Sequence, residues 1–250
     1  MFLLNRIDQF SRAMTFKWFL MAFVAGNVNA GGYLACHRFV THVTGFATLF
    51  GIDVARGAYA DAFGILSVPL FFLLGAAVGG FFTDAAIARG GRARYGIVMG
   101  SVSGLLVLAA IFGYFQLFGM FGTVFRLEQD YILLVILCAA SGLMNAAITT
   151  ASSSTMRATH LTGISTDLGI GIVRALFGHS DPQMQKREHK RNWMRAGIIA
   201  SYGAGGVVAA MLFLRVQYLG FLLPAAVAAY VGNLGVRAVS GGAESKANAA

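Results

Sequence analysis

Charged residues in this chain fall at intervals close to the thickness of a lipid bilayer. Lys17 and Arg38 enclose twenty uncharged positions, Asp61 and Asp84 twenty-two, and Asp130 and Arg157 twenty-six. Arg195 and Arg215 enclose nineteen, Arg215 and Arg237 twenty-one, and Arg94 and Arg126 thirty-one, apolar over about 97–118. A hydrocarbon core of about 30 Å takes roughly 20 apolar residues as a helix, so six gaps have the length of a crossing. Two others are too short: fourteen residues between Arg38 and Asp53, and nine between Arg157 and Asp167. Both are rich in Thr and His, and such lengths suit re-entrant or interfacial segments.

Composition agrees with a membrane solvent. Hydrophobic residues make up 57% and charged residues 12%, against about 25% charged in soluble domains. Twenty-one phenylalanines exclude a disordered chain. The net charge of +9 reads as a positive-inside excess and not as a nucleic-acid surface. Six crossings put fifteen Lys and Arg on the side of the termini and four on the other, Arg38, Arg56, Arg126 and Arg215. Eight crossings give thirteen to six and move Arg89, Arg92 and Arg94 outside. The expected fold is therefore all-α and polytopic, with six transmembrane helices, two short re-entrant segments and both termini cytoplasmic; eight crossings are the alternative. Cys36 and Cys138 lie inside apolar runs and form no disulfide framework or metal spacing.

The two short segments share a motif. Thr41-His42-Val43-Thr44-Gly45 returns 118 residues later as Thr159-His160-Leu161-Thr162-Gly163, and the same offset relates Thr48 to Thr166, Gly51 to Gly169, Ile52 to Ile170 and Arg56 to Arg174. Upstream, Gly26-x-x-Asn29-Ala30 returns as Gly142-x-x-Asn145-Ala146 at an offset of 116, and Gly75 aligns loosely with Gly203. Each half then reads as one span, a Thr/His segment and two spans. Three crossings per half make the halves inverted repeats about an axis in the membrane plane, the arrangement that places transporter sites at the midplane. Eight crossings would make them parallel repeats. The expected divisions are an amphipathic interfacial segment over 1–16, repeats over 17–125 and 126–238, and a disordered tail over 239–250. Val28-Asn29-Ala30 also has the look of a signal-peptide cleavage site, but the repeat needs those residues in the mature chain.

A Thr-His-x-Thr-Gly segment has defined chemistry. Gly45 and Gly163 permit positive φ and hence a reversal within the membrane. The helical stretches that follow would direct free N–H groups at the turn, favouring an anion or a polar group. The hydroxyls of Thr41, Thr44, Thr159, Thr162 and Thr166 can cap those ends or bind ligand. His42 and His160 are the ionisable groups common to both motifs and can exchange a proton near neutral pH. Asn29 and Asn145 either line the same cavity or bond across helices. Asp167, opposite Leu49 in the repeat, breaks the symmetry as a coupling site or a solvated segment end. Small residues and hydroxyls are also ordinary glue between membrane helices, and Gly75-x-x-x-Gly79 reads as packing. No nucleophile elbow, HExxH or phosphate loop is present, so neither an enzyme nor a cofactor is expected.

Gly-x-x-Asn-Ala, then Phe39-Val40-Thr41-His42-Val43-Thr44-Gly45, then Thr162-Gly163-Ile164-Ser165-Thr166-Asp167-Leu168, resembles the YoaK-like family of bacterial integral membrane proteins (domain of unknown function 1275) over about residues 18–236. The resemblance implies a multi-pass protein of the bacterial inner membrane and supplies no substrate. Relatives often carry Asn after the first Thr-Gly, where this chain has Phe46. The expected function is a small secondary transporter or channel for a polar solute, with anions favoured, sited between the two motifs. Its partners are then the bilayer and that solute, with homo-oligomers left open. The alternatives are a non-transporting scaffold docking through the cationic 186–195 loop and, less favoured, an intramembrane enzyme.

Overall fold

A computed structural model describes residues 12–152, 159–178 and 181–247. Those residues form helices and connecting turns, with no strand among them. The helices are α1 (Arg12–Cys36), α2 (Val43–Ala55), α3 (Tyr59–Phe82), α4 (Asp84–Ala88), α5 (Tyr95–Tyr114), α6 (Leu127–Ala151), α7 (Leu161–Phe177), α8 (Pro182–Val216) and α9 (Leu222–Ala247). Residues 1–11 of the expected interfacial segment lie outside the described residues, and α9 takes in residues 239–247 of the expected tail.

Five stretches are long and apolar enough to cross a membrane: Arg12–Cys36, Tyr59–Ala88, Tyr95–Tyr114, Leu127–Ala151 and Pro182–Leu234. The last, at 53 residues, would be about 80 Å long as one helix. It is broken at Gln217, whose φ is +51°, and a 3-10 turn over Gln217–Phe221 leads into α9. Asp181 starts α8 by accepting the Gln183 N–H, with Pro182 at the first helical position.

Contacts between helices set their directions. Gly197 of α8 meets Phe19 of α1, Gly205 meets Phe23, and Phe213 meets Gly31, so α1 and α8 run in parallel. Gly64, Gly75 and Gly79 of α3 meet Leu127, Ala139 and Ala146 of α6 in turn, and this pair is parallel too. In α5 and α9, Gly113 meets Tyr218 just before α9, while Met99 meets Gly232, an antiparallel order. The starts of α1 and α5 gather with the ends of α6 and α9 around Trp18, Met99, Ala151 and Val231. Hence α1, α5 and α8 run one way, and α3, α6 and α9 the other.

Both parallel pairs close by the same device. A Cβ on Gly26 would collide with the Tyr202 carbonyl, and one on Gly205 with that of Phe23. A Cβ on Gly142 would collide with the Phe72 carbonyl, and one on Gly75 with that of Ala139. Glycine lets the partner backbone occupy the place of the missing side chain, as small residues do at membrane helix crossings. The glycine of α8 that makes the contact matching Gly75 is Gly205. A Cβ on Gly203, which the sequence aligns loosely with Gly75, would meet nothing within 4 Å.

These contacts give an expected outcome. Gly142→Ala is expected to lower stability by about 1–3 kcal/mol, since overpacking here falls on backbone. Gly203→Ala adds helix propensity in open space and is expected to change stability by less than about 1 kcal/mol, upward. Thermal unfolding of the two variants in detergent compares them directly, and equal effects would discard the close-contact account.

Candidate functional site

The route into the site begins where α1 stops. His37 takes a left-handed φ of +53° and its Nε2 lies 3.3 Å from the Gly122 carbonyl, while the Gly122 N–H bonds to the Ala35 carbonyl. The chain turns back along α1, with Phe39 stacked on Tyr33 at 4.6 Å. The Cys138 thiol donates to the Val40 carbonyl at 3.2 Å. Thr41 then arrives, buried, beside Asn29. Its N–H and its hydroxyl both donate to Asn29 Oδ1, at 3.2 and 2.9 Å, and its hydroxyl lies 3.3 Å from that of Tyr202.

The second motif is held by the corresponding residues, with the direction of the hydrogen bond reversed. Asn145 of α6 donates through Nδ2 to the hydroxyl of buried Thr159. His42 and His160 then stand at the N-caps of α2 and α7, and neither helix start is capped by its histidine side chain. Asn29 and Asn145 each lie three residues beyond a contact glycine, Gly26 or Gly142, and so near the same helix face. The Gly-x-x-Asn spacing therefore joins a close helix crossing to the anchor of a Thr-His-x-Thr-Gly segment.

The two anchored segments meet. Thr41, His42, Val43 and Thr44 line one cavity of about 270 Å³ together with Thr159, His160, Thr162, Gly163 and Phe72. Phe72 and Tyr202 lie near the middles of α3 and α8, so the cavity sits at mid-length of the bundle. From it α2 runs to the end where α3 begins, with Phe50 against Phe63 at 5.8 Å. α7 runs to the opposite end, where Gln185 of α8 donates to the Ala175 carbonyl at 3.1 Å. Two helix N-termini thus face one concavity, bordered by threonines and histidines, from opposite directions. His42, Thr44, His160, Thr162 and Gly163 are exposed at its mouth.

Other expected residues fall elsewhere. Gly45 and Gly163 are not at positive φ; the positive-φ glycines are Gly57, Gly90, Gly119 and Gly122. In the first half the reversal comes earlier, at His37, because the segment must travel back to Asn29 before α2 starts. Gly45 and Gly163 instead lie in the first helical turn, where a Cβ would meet nothing within 4 Å. Gly45 does not line the cavity. Thr48 and Thr166 spend their hydroxyls on the carbonyls of Thr44 and Thr162, at 3.2 and 3.0 Å. Asp167 is exposed on α7 and is not among the lining residues. Phe46 is buried in the core at 2% exposure and is not among the residues that line the cavity. Phe72 and Tyr202 carry no sequence signal beyond their mid-span position.

Among the described residues no three His, Cys, Asp or Glu side chains come together to hold a metal ion. An all-helical chain with several apolar helices of membrane-crossing length is a multi-pass membrane protein by length and composition. The family model described as "Protein of unknown function (DUF1275)" matches residues 18–234. The chain belongs to that family. No curated protein and no solved structure matches it.

The anchors are open to test. Asn29 accepts two hydrogen bonds from Thr41, whereas Asn145 makes one to Thr159. Each buried partner left unsatisfied costs about 1–3 kcal/mol. Asn29→Ala is therefore expected to destabilise more than Asn145→Ala in thermal unfolding. It should also speed hydrogen exchange at the Thr41 amide.

Proposed function

We propose that this protein is a small secondary transporter or channel for a polar solute, with the binding site in the cavity between the two Thr-His-x-Thr-Gly segments. The observation that carries this reading is the convergence of both segments, and of the N-termini of α2 and α7, on one cavity at mid-length of the bundle. Each helix N-terminus concentrates unpaired N–H groups and about half a positive charge, so a solute carrying an anionic or strongly polar group is favoured. Four lining threonines supply hydroxyls that donate or accept. His42 and His160 supply imidazole rings, side chains suited to exchanging a proton. The chemistry is binding and passage, with no catalytic role assigned to any side chain.

The reading includes a topology. The chain crosses six times, through α1, α3, α5, α6, α8 and α9, while α2 and α7 enter from opposite faces and return. The alternating helix directions support it, and so does the end of the bundle where Lys17, Arg89, Arg92, Arg94 and Lys186 collect. Loop charge of this sign faces the cytoplasm, which favours both termini on the cytoplasmic side of a bacterial inner membrane. The two halves are inverted repeats in this reading. Supporting it are the matched contacts of Gly26 with Gly142 and of Gly75 with Gly205, and the matched anchors Asn29–Thr41 and Asn145–Thr159.

Two experiments test these points. Ala88 is exposed on α4, and Ala88→Cys in a Cys36→Ala/Cys138→Ala background is expected to react with an impermeant thiol reagent from the cytoplasmic side only. Labelling from outside alone would sink the six-crossing arrangement. For function, purified protein in liposomes is screened for flux of small anions and polar metabolites. Any flux found is expected to change with pH between about 5 and 8 through the histidines and to lose that dependence in His42→Ala/His160→Ala. If the double variant matched the wild type throughout, the histidine role would fail; if no solute moved, a scaffold would replace the transporter.

A further inference from the structure

A second concavity lies far from the first, at the end of the bundle where α3 stops. It has a volume of about 390 Å³ and is lined by Phe81, Phe82, Ala86, Gly91 and three arginines, Arg89, Arg92 and Arg94. α4 and the turn after it shape the site. Gly90 takes a left-handed φ of +77°, the Gly91 N–H bonds to the Ala86 carbonyl, and the Arg94 N–H returns to the Phe82 carbonyl. This fold brings three guanidinium-bearing residues around one opening within six residues of sequence. Arg89 lies over the Phe81 ring at 5.2 Å. Asp84, at the start of α4, is the acidic residue of this segment, and no acidic side chain forms an ion pair with Arg89 or Arg94 among the described residues.

The site continues into an apolar surface. Along α3, Leu66, Leu70, Leu74, Val78 and Phe81 are all exposed, between 37% and 57%, and their spacing of three or four residues sets them in one row. At 1.5 Å per residue that row is roughly 22 Å long, more than the about 15 Å depth of one leaflet's hydrocarbon. It ends at Phe81, beneath the arginines. A row of apolar side chains on a membrane-length helix, meeting a basic pocket at the level where the helix ends, matches a lipid in both its parts.

We propose that this pocket is a binding site for an anionic phospholipid, its phosphate held by Arg89, Arg92 and Arg94 and one acyl chain laid along the Leu66–Phe81 row. The planar guanidinium fork suits phosphate oxygens and forms the stronger, charge-assisted hydrogen bonds. Basic pockets at the ends of membrane helices take lipid headgroups on the same grounds. The occupant is a lipid and not a free phosphate because the cavity's wall is continuous with the exposed apolar row.

The test uses the full chain in detergent, washed free of lipid and then given phosphatidylglycerol or phosphatidylcholine, with bound lipid counted by native mass spectrometry. Wild type is expected to retain phosphatidylglycerol in preference to phosphatidylcholine. Arg89→Gln/Arg92→Gln/Arg94→Gln is expected to lose that retention by about tenfold or more. Lys186→Gln/Arg187→Gln/Lys190→Gln, which removes equal charge at the same end of the bundle, is expected to keep it. Equal losses in the two triple variants, or no loss in the first, would overturn the site in favour of diffuse surface charge. Glycerol phosphate displacing the lipid at matched concentration would show a free-phosphate site and overturn the acyl-chain half. Should the first triple variant fail to fold by circular dichroism, Arg89→Gln alone is expected to weaken retention about threefold, and unchanged retention there would count against the proposal.

Discussion

Backbone-to-backbone contact between parallel helices is the interaction on which the rest of this structure depends. In α1 against α8 and α3 against α6, a glycine on each helix admits a carbonyl of the other. Lipid provides no hydrophobic force between helices, so association rests on close van der Waals packing and interhelical polar contacts. The contacts fix depth as well as distance: Gly26 against Tyr202 sets the level of Asn29, and Gly142 against Phe72 sets that of Asn145. Each asparagine then fixes the level at which a threonine, and with it a helix start, is held. The cavity follows from those crossings at two removes.

The helices α2 and α7 are not held alike. α2 rests on α3 through aromatic and aliphatic contact, with Phe46 buried and Phe50 against Phe63. α7 rests on α8 beside a half-hidden polar cluster. Glu188 is buried and pairs with Arg195 at 3.1 Å and with Arg191 at 3.5 Å. Arg195 also donates to Asn192 at 2.9 Å. Gly171 of α7 is pressed so closely on this cluster that a Cβ would collide with Asn192. A buried ion pair is costly to break because each partner is left uncompensated, while an apolar contact yields more gradually. The ends of the bundle therefore differ in how firmly their half-helix is seated, although the motifs at the cavity are nearly identical.

Much of the site was readable as residue types. Thr41, His42, Thr44, Thr159, His160, Thr162 and Gly163 line the cavity, and Asn29 and Asn145 stand behind it as the anchors of Thr41 and Thr159. The spacing Gly-x-x-Asn had a readable geometry, since positions three apart share a helix face. What misled was local. Thr-Gly suggested a turn at the glycine, yet helix formation takes Gly45 and Gly163 into the first turn, and His37 accepts the left-handed φ. Thr166 looked like a ligand, but a threonine inside a helix readily turns its hydroxyl to the carbonyl four residues back.

The sequence by itself determined the class of fold and the pieces of the site. Uncharged runs of bilayer length leave helix as the open form of backbone that satisfies its own hydrogen bonds in lipid, and a motif that returns 118 residues later marks what is paired with what. Only the tertiary structure decided which glycine of α8 meets α1, that Phe72 and Tyr202 border the motifs, and that three arginines close around Phe81. Those outcomes depend on which helix faces meet across long sequence separations. Spacing along one helix specifies a face; it does not specify the partner that face will find.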